Sequence, residues 1–362
     1  MHTQLHCIIQ RMQIHRFSRY VSNFSRRLPS SLLASSLFAI TLTSAPLQAF
    51  AQAGSRPATL FDSATAFYNS LAATGQPGMA EPMPMVPDGV LMLSNATDYL
   101  MWVELELGRL NLLERMPDGG LIVRKRIPVS IGKQGIGKVK EGDRKTPIGT
   151  YHIMSYLADE RIDDFYGTGA YPLNYPNALD RRLKRTGHGI WLHGLPKDVT
   201  ERPFLDSDGC VVIDNANLDE LAGIVSTGVT QVVLSQEPIK WVATAALEET
   251  RAGLEAALQA WVAAWEARDN AAYLAFYADD FSDLARNKVA WSTYKSRVNS
   301  SKRFIDIELS DISMLVDPVQ RDLVTVRYRQ SYKSDNYNWR GWKEQLWRQD
   351  GTRWEIIYEG NG

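Results

Sequence analysis

The stretch Gly189-Ile190-Trp191-Leu192-His193-Gly194, followed after twelve residues by Ser207-Asp208-Gly209-Cys210-Val211-Val212-Ile213, decides the fold and the chemistry of this chain. Its first and last runs are short, apolar and β-branched, as strand candidates are. Gly209 permits a tight turn immediately before Cys210. A cysteine attacks as its thiolate, and a free thiol has a pKa of about 8.5, so it needs a base within reach. Histidine titrates near neutrality and is the natural partner. Without a Cβ at 209, the amides of Gly209 and Cys210 can approach an acyl oxygen closely, as an oxyanion hole requires. Cys210 is therefore the candidate nucleophile, His193 its candidate base and Gly209 a candidate oxyanion amide.

Working outward, the punctuation from Val90 to about Leu234 is that of strands. Tyr99-Leu100-Met101-Trp102-Val103-Glu104-Leu105 has the texture of a buried strand. The turn Pro117-Asp118-Gly119-Gly120 leads into Leu121–Val129, and Gln231-Val232-Val233-Leu234 closes the unit. Asn217 with Glu220 three residues on predicts a helix start, with Leu218, Leu221 and Ile224 facing inward. Gly- and Pro-rich loops between short strands predict a mostly β domain of sandwich or barrel type. After Pro238 the texture changes. Residues 247–268 predict one long helix with Leu254, Leu258, Trp261, Val262 and Trp265 on one face, and a short helix follows near Ala271–Phe276. Strands are expected at 305–309, 323–328, 343–347 and 354–358, which makes the C-terminal unit α+β. The shift at Pro238 predicts a separate core, and hence a soluble catalytic unit when residues from about 240 onward are removed.

The chain has 362 residues, and at roughly 150 per domain this suggests about two domains. Its 40 basic and 41 acidic residues nearly cancel, so no global field favours nucleic acid. Two cysteines, Cys7 and Cys210, make neither a zinc framework nor a disulfide scaffold. Residues 1–53 carry five arginines and no acid, then the apolar run 32–42, then Ala49-Phe50-Ala51 and Ala51-Gln52-Ala53. This is the pattern of a secretory signal. Its removal leaves 35 basic residues against 41 acidic and Cys210 as the single thiol. In an oxidising compartment such a thiol is either buried and inert or kept for its chemistry. Residues 54–89 hold an amphipathic helix over 58–74 and a Pro- and Gly-rich linker. That helix should dock on the main body or form a homodimer with a second copy of itself.

The stretch His193-Gly194…Ser207-Asp208-Gly209-Cys210 resembles the active-site signature of the L,D-transpeptidase (YkuD) family. Upstream, Glu141–Tyr151 (Glu-Gly-Asp-Arg-Lys-Thr-Pro-Ile-Gly-Thr-Tyr) is similar to that family's "GD…TP.G.Y" strand-turn, and Tyr171–Asn177 resembles a loop of its Gram-negative branch. The likeness covers roughly residues 95–235. Histidine before cysteine also argues against papain-like folds, where the cysteine comes first. The C-terminal unit resembles the SnoaL-like (nuclear transport factor two) fold, through Trp261–Asp269 and Tyr277–Phe281. The implied organisation is a signal peptide over 1–53, helix and linker over 54–89, a YkuD-like β-sandwich over 90–236 and an α+β cone over 237–362.

The resemblance implies a periplasmic enzyme acting on peptidoglycan stem peptides, with no metal or other cofactor. Cys210 would form a thioester at the bond between the L-centre of the third residue and D-alanine. His193 would move the proton, and the Gly194 carbonyl would orient His193. Substrate contacts are expected from Ser207, Tyr175, Trp191 and His188. Each also has a structural reading: Ser207 can hold the turn, Trp191 can pack in the core, and His188 falls on the opposite strand face from His193. Cross-linking members of the family usually carry Arg or Asn two residues after the cysteine, where this chain has Val212. Members with this two-domain architecture include cell-shape carboxypeptidases of curved Gram-negative bacteria. Water is thus the expected acceptor, giving tetrapeptide-to-tripeptide trimming. Cross-linking, attachment or release of wall protein, or an inactive wall-binding protein remain as alternatives. Arg181, Arg182 or Lys184 could supply the charge that Val212 lacks. Thiol labelling well below pH 8 is expected of an activated Cys210. The eight tryptophans after Pro238 suggest a glycan or protein ligand for the second domain, in a pocket lined by Trp339, Trp342, Trp347 and Trp354, or else core packing.

Overall fold

The computed structural model of the protein describes residues 83–362; the leader expected over 1–53 and the amphipathic helix expected over 58–74 lie outside the described residues. A five-stranded sheet runs in the order Leu121–Pro128, Arg109–Arg115, Tyr99–Glu104, Gln231–Ser235, Gly149–His152. Tyr99–Glu104 and Gln231–Ser235 pair in parallel although 130 residues of chain separate Met101 from its partner Val232. A four-stranded sheet, in the order Val211–Val212, Trp191–His193, Gly169–Pro172, Leu157–Ala158, carries the signature stretch. Alternate residues of both sheets point inward. Met101, Val103, Leu110, Leu112, Leu192, Val211, Val232 and Leu234 meet in one core, each 2% exposed or less. The mostly β reading of this region holds.

The C-terminal unit is α+β, as expected. Its helix Glu248–Glu266 buries Leu254, Leu258, Trp261 and Trp265. These lie four, three and four residues apart, so one stripe faces the sheet. The sheet runs Arg353–Asn361, Asn338–Asp350, Leu323–Ser334, Ile305–Val316, all antiparallel. Its strands are longer than the apolar runs that predicted them, because their outer halves alternate with charged residues such as Lys333 and Arg340 and escape a hydrophobicity criterion. The helix Lys288–Ser300 was not expected from the sequence. Its buried residues are Trp291, Lys295 and Asn299, of which two are polar. In the other unit, the cap of the helix Asn215–Ala222 is Asp214 rather than Asn217, the Asp214 carboxylate accepting the Asn217 amide at 2.9 Å.

The two units are not separate bodies. Val90–Met92, just before the first long strand of the N-terminal β unit, adds a fifth strand to the C-terminal sheet beside Ile305–Val316. Met85–Pro87 pairs with Trp241–Ala243. One apolar cluster joins Leu100, Trp102, Leu113 and Val233 to Leu315. A second joins Ala178 and Leu179 to Leu323, Leu346 and Ile357. Arg182 donates to the Ile357 carbonyl at 2.9 Å and reaches Asp280 at 3.1 Å. These contacts argue against the expectation of an independently soluble catalytic unit: removing the second unit strips cover from buried leucines and leaves a strand without its sheet.

Of the tryptophans proposed to line a C-terminal pocket, Trp347 and Trp354 are core residues, 0% and 6% exposed. Trp339 lines a groove of about 950 Å³ with Lys295, Lys343 and Glu359. Trp342 is stacked by Arg327, 4.6 Å from the ring centre. No described helix is long and apolar enough to cross a membrane.

Candidate active site

His193 ends the strand Trp191–His193, and Val211–Val212 lies beside it in parallel, with Leu192 opposite Val211 and His193 opposite Val212. Side chains alternate along a strand, so Cys210, two residues before Val212, falls on the His193 face. The pairing brings two residues seventeen apart in the chain onto one face at the sheet's edge. His193 is 1% exposed, and its Nδ1 lies 2.7 Å from the Gly194 carbonyl oxygen. A carbonyl can only accept, so Nδ1 carries the proton and Nε2 keeps its lone pair. Gly194 is held in turn: its amide donates to the Tyr166 carbonyl at 3.1 Å, and a Cβ there would stand 2.0 Å from Asn215 Oδ1.

The turn that presents Cys210 is braced from two sides. Ser207 Oγ donates to the Cys210 carbonyl at 2.7 Å and accepts the Gly209 amide at 3.1 Å. Thr146, fully buried, donates to the Gly209 carbonyl at 3.1 Å and accepts the Gly132 amide at 2.9 Å. Gly209 has φ +124°, and a Cβ would come within 2.8 Å of the Lys145 carbonyl oxygen, so only glycine fits. The Glu141–Tyr151 motif thus earns its place as a buttress. Although burial opposes its charge, Asp143 is held well below the usual carboxylate range by Lys138 and the amides of Lys140, Val139 and Lys145. That fixes the loop from which Thr146 reaches the turn.

These contacts correct one assignment. The Gly209 amide is spent on Ser207, so Gly209 shapes the turn and does not serve an oxyanion in this conformation. Unlike the Gly209 amide, the Cys210 amide donates to no acceptor among the described residues.

Electrostatics correct another. Burial pushes the Cys210 thiol up to about 11, against the Trp191 amide and the positive charge of Arg202. Burial pushes His193 down to about 4, with the Gly194 carbonyl opposing and Arg202 assisting. The thiol points at the Gly189 carbonyl, 3.4 Å away. Both shifts favour the neutral thiol and neutral imidazole over a thiolate–imidazolium pair. The expected reactivity well below pH 8 does not follow from this geometry.

The remaining predicted residues divide. Trp191 stands in the wall of the site, half-buried, its ring 4.8 Å from that of Tyr166. Ser207 is 3% exposed and holds the turn. Tyr175 is 5% exposed, packed in the core with its hydroxyl on the Thr186 carbonyl at 3.1 Å. His188 lies in an exposed loop, 3.5 Å from Glu141 Oε1. Arg182 is engaged with the second unit, and Arg181 is tied to the Asn177 carbonyl at 3.2 Å. Neither supplies a charge in place of Val212, which is itself 1% exposed. Sequence reasoning missed three wall residues. Tyr166 packs edge-on against His193 at 5.1 Å, Phe165 lies 6.1 Å from the same ring, and Arg202 stacks 5.3 Å from Phe165. They lie in loops between strands, and only the aromatic pair Phe165-Tyr166 before Gly167 could have drawn notice. Among the described residues no group of three or more His, Cys, Asp or Glu could hold a metal.

Residues 98–234 match the L,D-transpeptidase catalytic domain family, YkuD. This region is a YkuD catalytic domain. Residues 253–360 match the C-terminal NTF2-like domain family named for Cds6. Among solved structures, Bd1075 of Bdellovibrio bacteriovorus is 29% identical with a TM-score of 0.62, over 76% of this chain and 97% of that one. Pgp2 of Campylobacter jejuni, described as a helical cell shape determining protein, is 26% identical with a TM-score of 0.61, over 75% of this chain and 96% of that one. No curated protein sequence matches the chain. Both likenesses cover about three quarters of this chain, more than the YkuD match alone.

Proposed function

We propose that this protein is an exported L,D-carboxypeptidase that trims tetrapeptide stems of peptidoglycan to tripeptides. The observation that carries the reading is the His193 Nδ1–Gly194 carbonyl bond at 2.7 Å, which presents Nε2 as a base on the face that bears Cys210. Cys210 Sγ attacks the carbonyl between the third residue's L-centre and D-alanine. As the S–C bond forms, the S–H proton passes to His193 Nε2, and the Cys210 amide donates to the oxyanion. The imidazolium then protonates the leaving amine. Its pKa, pushed down to about 4, makes it a strong acid for this step. Water attacks the thioester, His193 takes its proton and returns it to Sγ, and the tripeptide leaves as a free acid.

Hydrolysis is favoured over cross-linking by Val212. A transpeptidase must hold a second stem so that its amine outcompetes water, a proximity problem worth several kcal/mol. Position 212 is buried beside His193 and apolar, so it offers no bidentate anchor for that stem. The similarity to the cell shape protein Pgp2 supports a role in shaping the wall, and the Arg-rich, A-x-A-ended leader supports export to the periplasm.

The test is incubation of purified protein with monomeric disaccharide-tetrapeptides and mass analysis of the products. Tripeptide and free D-alanine are expected, absent with Cys210→Ala. Direct third-residue to third-residue dimers would replace the hydrolase reading with the transpeptidase one, and unchanged substrate would leave a wall-binding protein.

A further inference from the structure

Arg202 is a cation built into the active-site wall with part of its guanidinium unspent. Its side chain is 8% exposed. Nε donates to Asp206 Oδ2 at 2.9 Å and Nη2 to the Asp206 carbonyl oxygen at 2.7 Å. Nη1 is shut off from solvent and has no hydrogen-bond partner. A buried charged donor without an acceptor is costly, and such groups persist where a ligand completes them. Over the guanidinium lies the Phe165 ring, 5.3 Å from Cζ, and the same ring is 6.1 Å from the His193 imidazole. The charge of Arg202 acts on both His193 and Cys210.

We propose that Arg202 Nη1 binds the free C-terminal carboxylate of the residue being cleaved off, and that the Phe165 ring swings aside to admit it. The inference rests on the exopeptidase reading above. When a single residue leaves, its carboxylate carbon lies only about 3 to 4 Å from the scissile carbonyl carbon, so a cation that recognises it must stand beside the Cys–His pair. Arginine can serve two partners at once through separate edges of its fork, and Asp206 occupies only the Nε–Nη2 edge. Phe165 is 47% exposed, so the ring has open solvent on one side into which to turn. The nearby acid Asp208 does not compete for Arg202, since its carboxylate faces Lys133 at 3.8 Å and Arg144 at 3.7 Å.

The test uses the full chain carrying Cys210→Ala and two synthetic tetrapeptide stems, one ending in D-alanine with a free carboxylate and one in its C-terminal amide. Calorimetry should show the acid preferred over the amide by about 10- to 100-fold, the range of a charge-assisted hydrogen bond. Adding Arg202→Gln should reduce that preference below about threefold by weakening the acid alone. Arg202→Lys, which keeps the charge beside Asp206 but not the fork, should also lose most of it. Phe165→Ala should keep the preference and speed association. A preference that survives both Arg202 substitutions, or one absent from the parent, overturns the proposal. Wild-type turnover separates the two ideas: equal release of D-alanine and D-alaninamide sinks the carboxylate site alone, and release of neither sinks the exopeptidase reading as well.

Discussion

If Cys210 and His193 rest as a neutral pair, removing the imidazole should hardly change how the thiol titrates. The perturbation is His193→Ala, and the assay is iodoacetamide labelling from pH 6 to 10.5, with the Cys210 peptide quantified by mass so that Cys7 does not interfere. Burial raises the Cys210 pKa from 9.0 to about 11. At pH 7.5 this lowers the thiolate fraction from ~3% to ~0.03%, about 100-fold and equivalent to roughly 3 kcal/mol. A more basic thiolate is a better nucleophile, and with a Brønsted slope near 0.45 this returns about eightfold. Cys210 in the folded chain should thus label roughly tenfold more slowly than in the urea-unfolded chain at pH 7.5. Its rate should still be rising tenfold per pH unit at pH 9. In His193→Ala the profile should move by less than about half a unit, since no imidazolium is lost. A plateau by pH 8 in the wild type, abolished in the variant, would mean a preformed thiolate–imidazolium pair and would refute the argument from burial.

Other outcomes follow from the same contacts. Thr146→Val removes the donor to the Gly209 carbonyl and the acceptor of the Gly132 amide, so it should cost about 1 to 3 kcal/mol in urea denaturation and lower kcat more than it raises KM. Equal kcat would show that the Cys210 turn holds without its brace. His193 and His152 are buried neutral, with pKa values pushed down by burial to about 4 and about 3, the charge of Arg327 adding to the burial of His152. Their depressed values mean that the stability they permit is present above about pH 6.5 and is lost as pH falls through 4 toward 3, so the urea midpoint should drop steeply across that window. A flat midpoint from pH 6.5 to 3.5 would contradict the burial of both rings. Truncation after Ser235 should give aggregated protein, because it removes the sheet partner of Val90–Met92 and the cover over Leu179. A soluble monomer with an unchanged Tm would show the interface to be dispensable. Gly194→Ala should abolish turnover, since its Cβ would stand 2.0 Å from Asn215 Oδ1 and displace the carbonyl that orients His193.

Much of the fold was legible because periodicity is a local signal. The stripe Leu254, Leu258, Trp261, Trp265 announces its helix, and Tyr99–Leu105 its strand. The helix Lys288–Ser300 was not legible, because it buries Lys295 and Asn299, which no hydrophobic pattern marks as inward. Lys295 is tolerated inside by the rings of Trp265 at 4.3 Å and Trp291 at 4.7 Å and by Glu359 at 3.6 Å, partners up to 64 residues away. Tyr175 was misplaced for a related reason: a tyrosine in a loop motif reads as a contact residue until a distant carbonyl is seen to occupy its hydroxyl.

The sequence by itself determined the two domain types and singled out Cys210 and His193 as the candidate pair, because a cysteine after a glycine and a histidine at a strand's end are chemical statements that need no neighbours. Only the tertiary structure decided the state of that pair and the company it keeps. A pKa depends on how much water the surrounding chain excludes, and burial sets Cys210 and His193 in their neutral forms. Arg202 enters the site from a loop, and its free Nη1 becomes visible only when every other acceptor in reach has been accounted for. The union of the two domains was decided the same way. Val90–Met92 is three residues long, too short to declare a sheet, and which sheet it joins is settled by the edge left open on Ile305–Val316, more than 200 residues further along the chain.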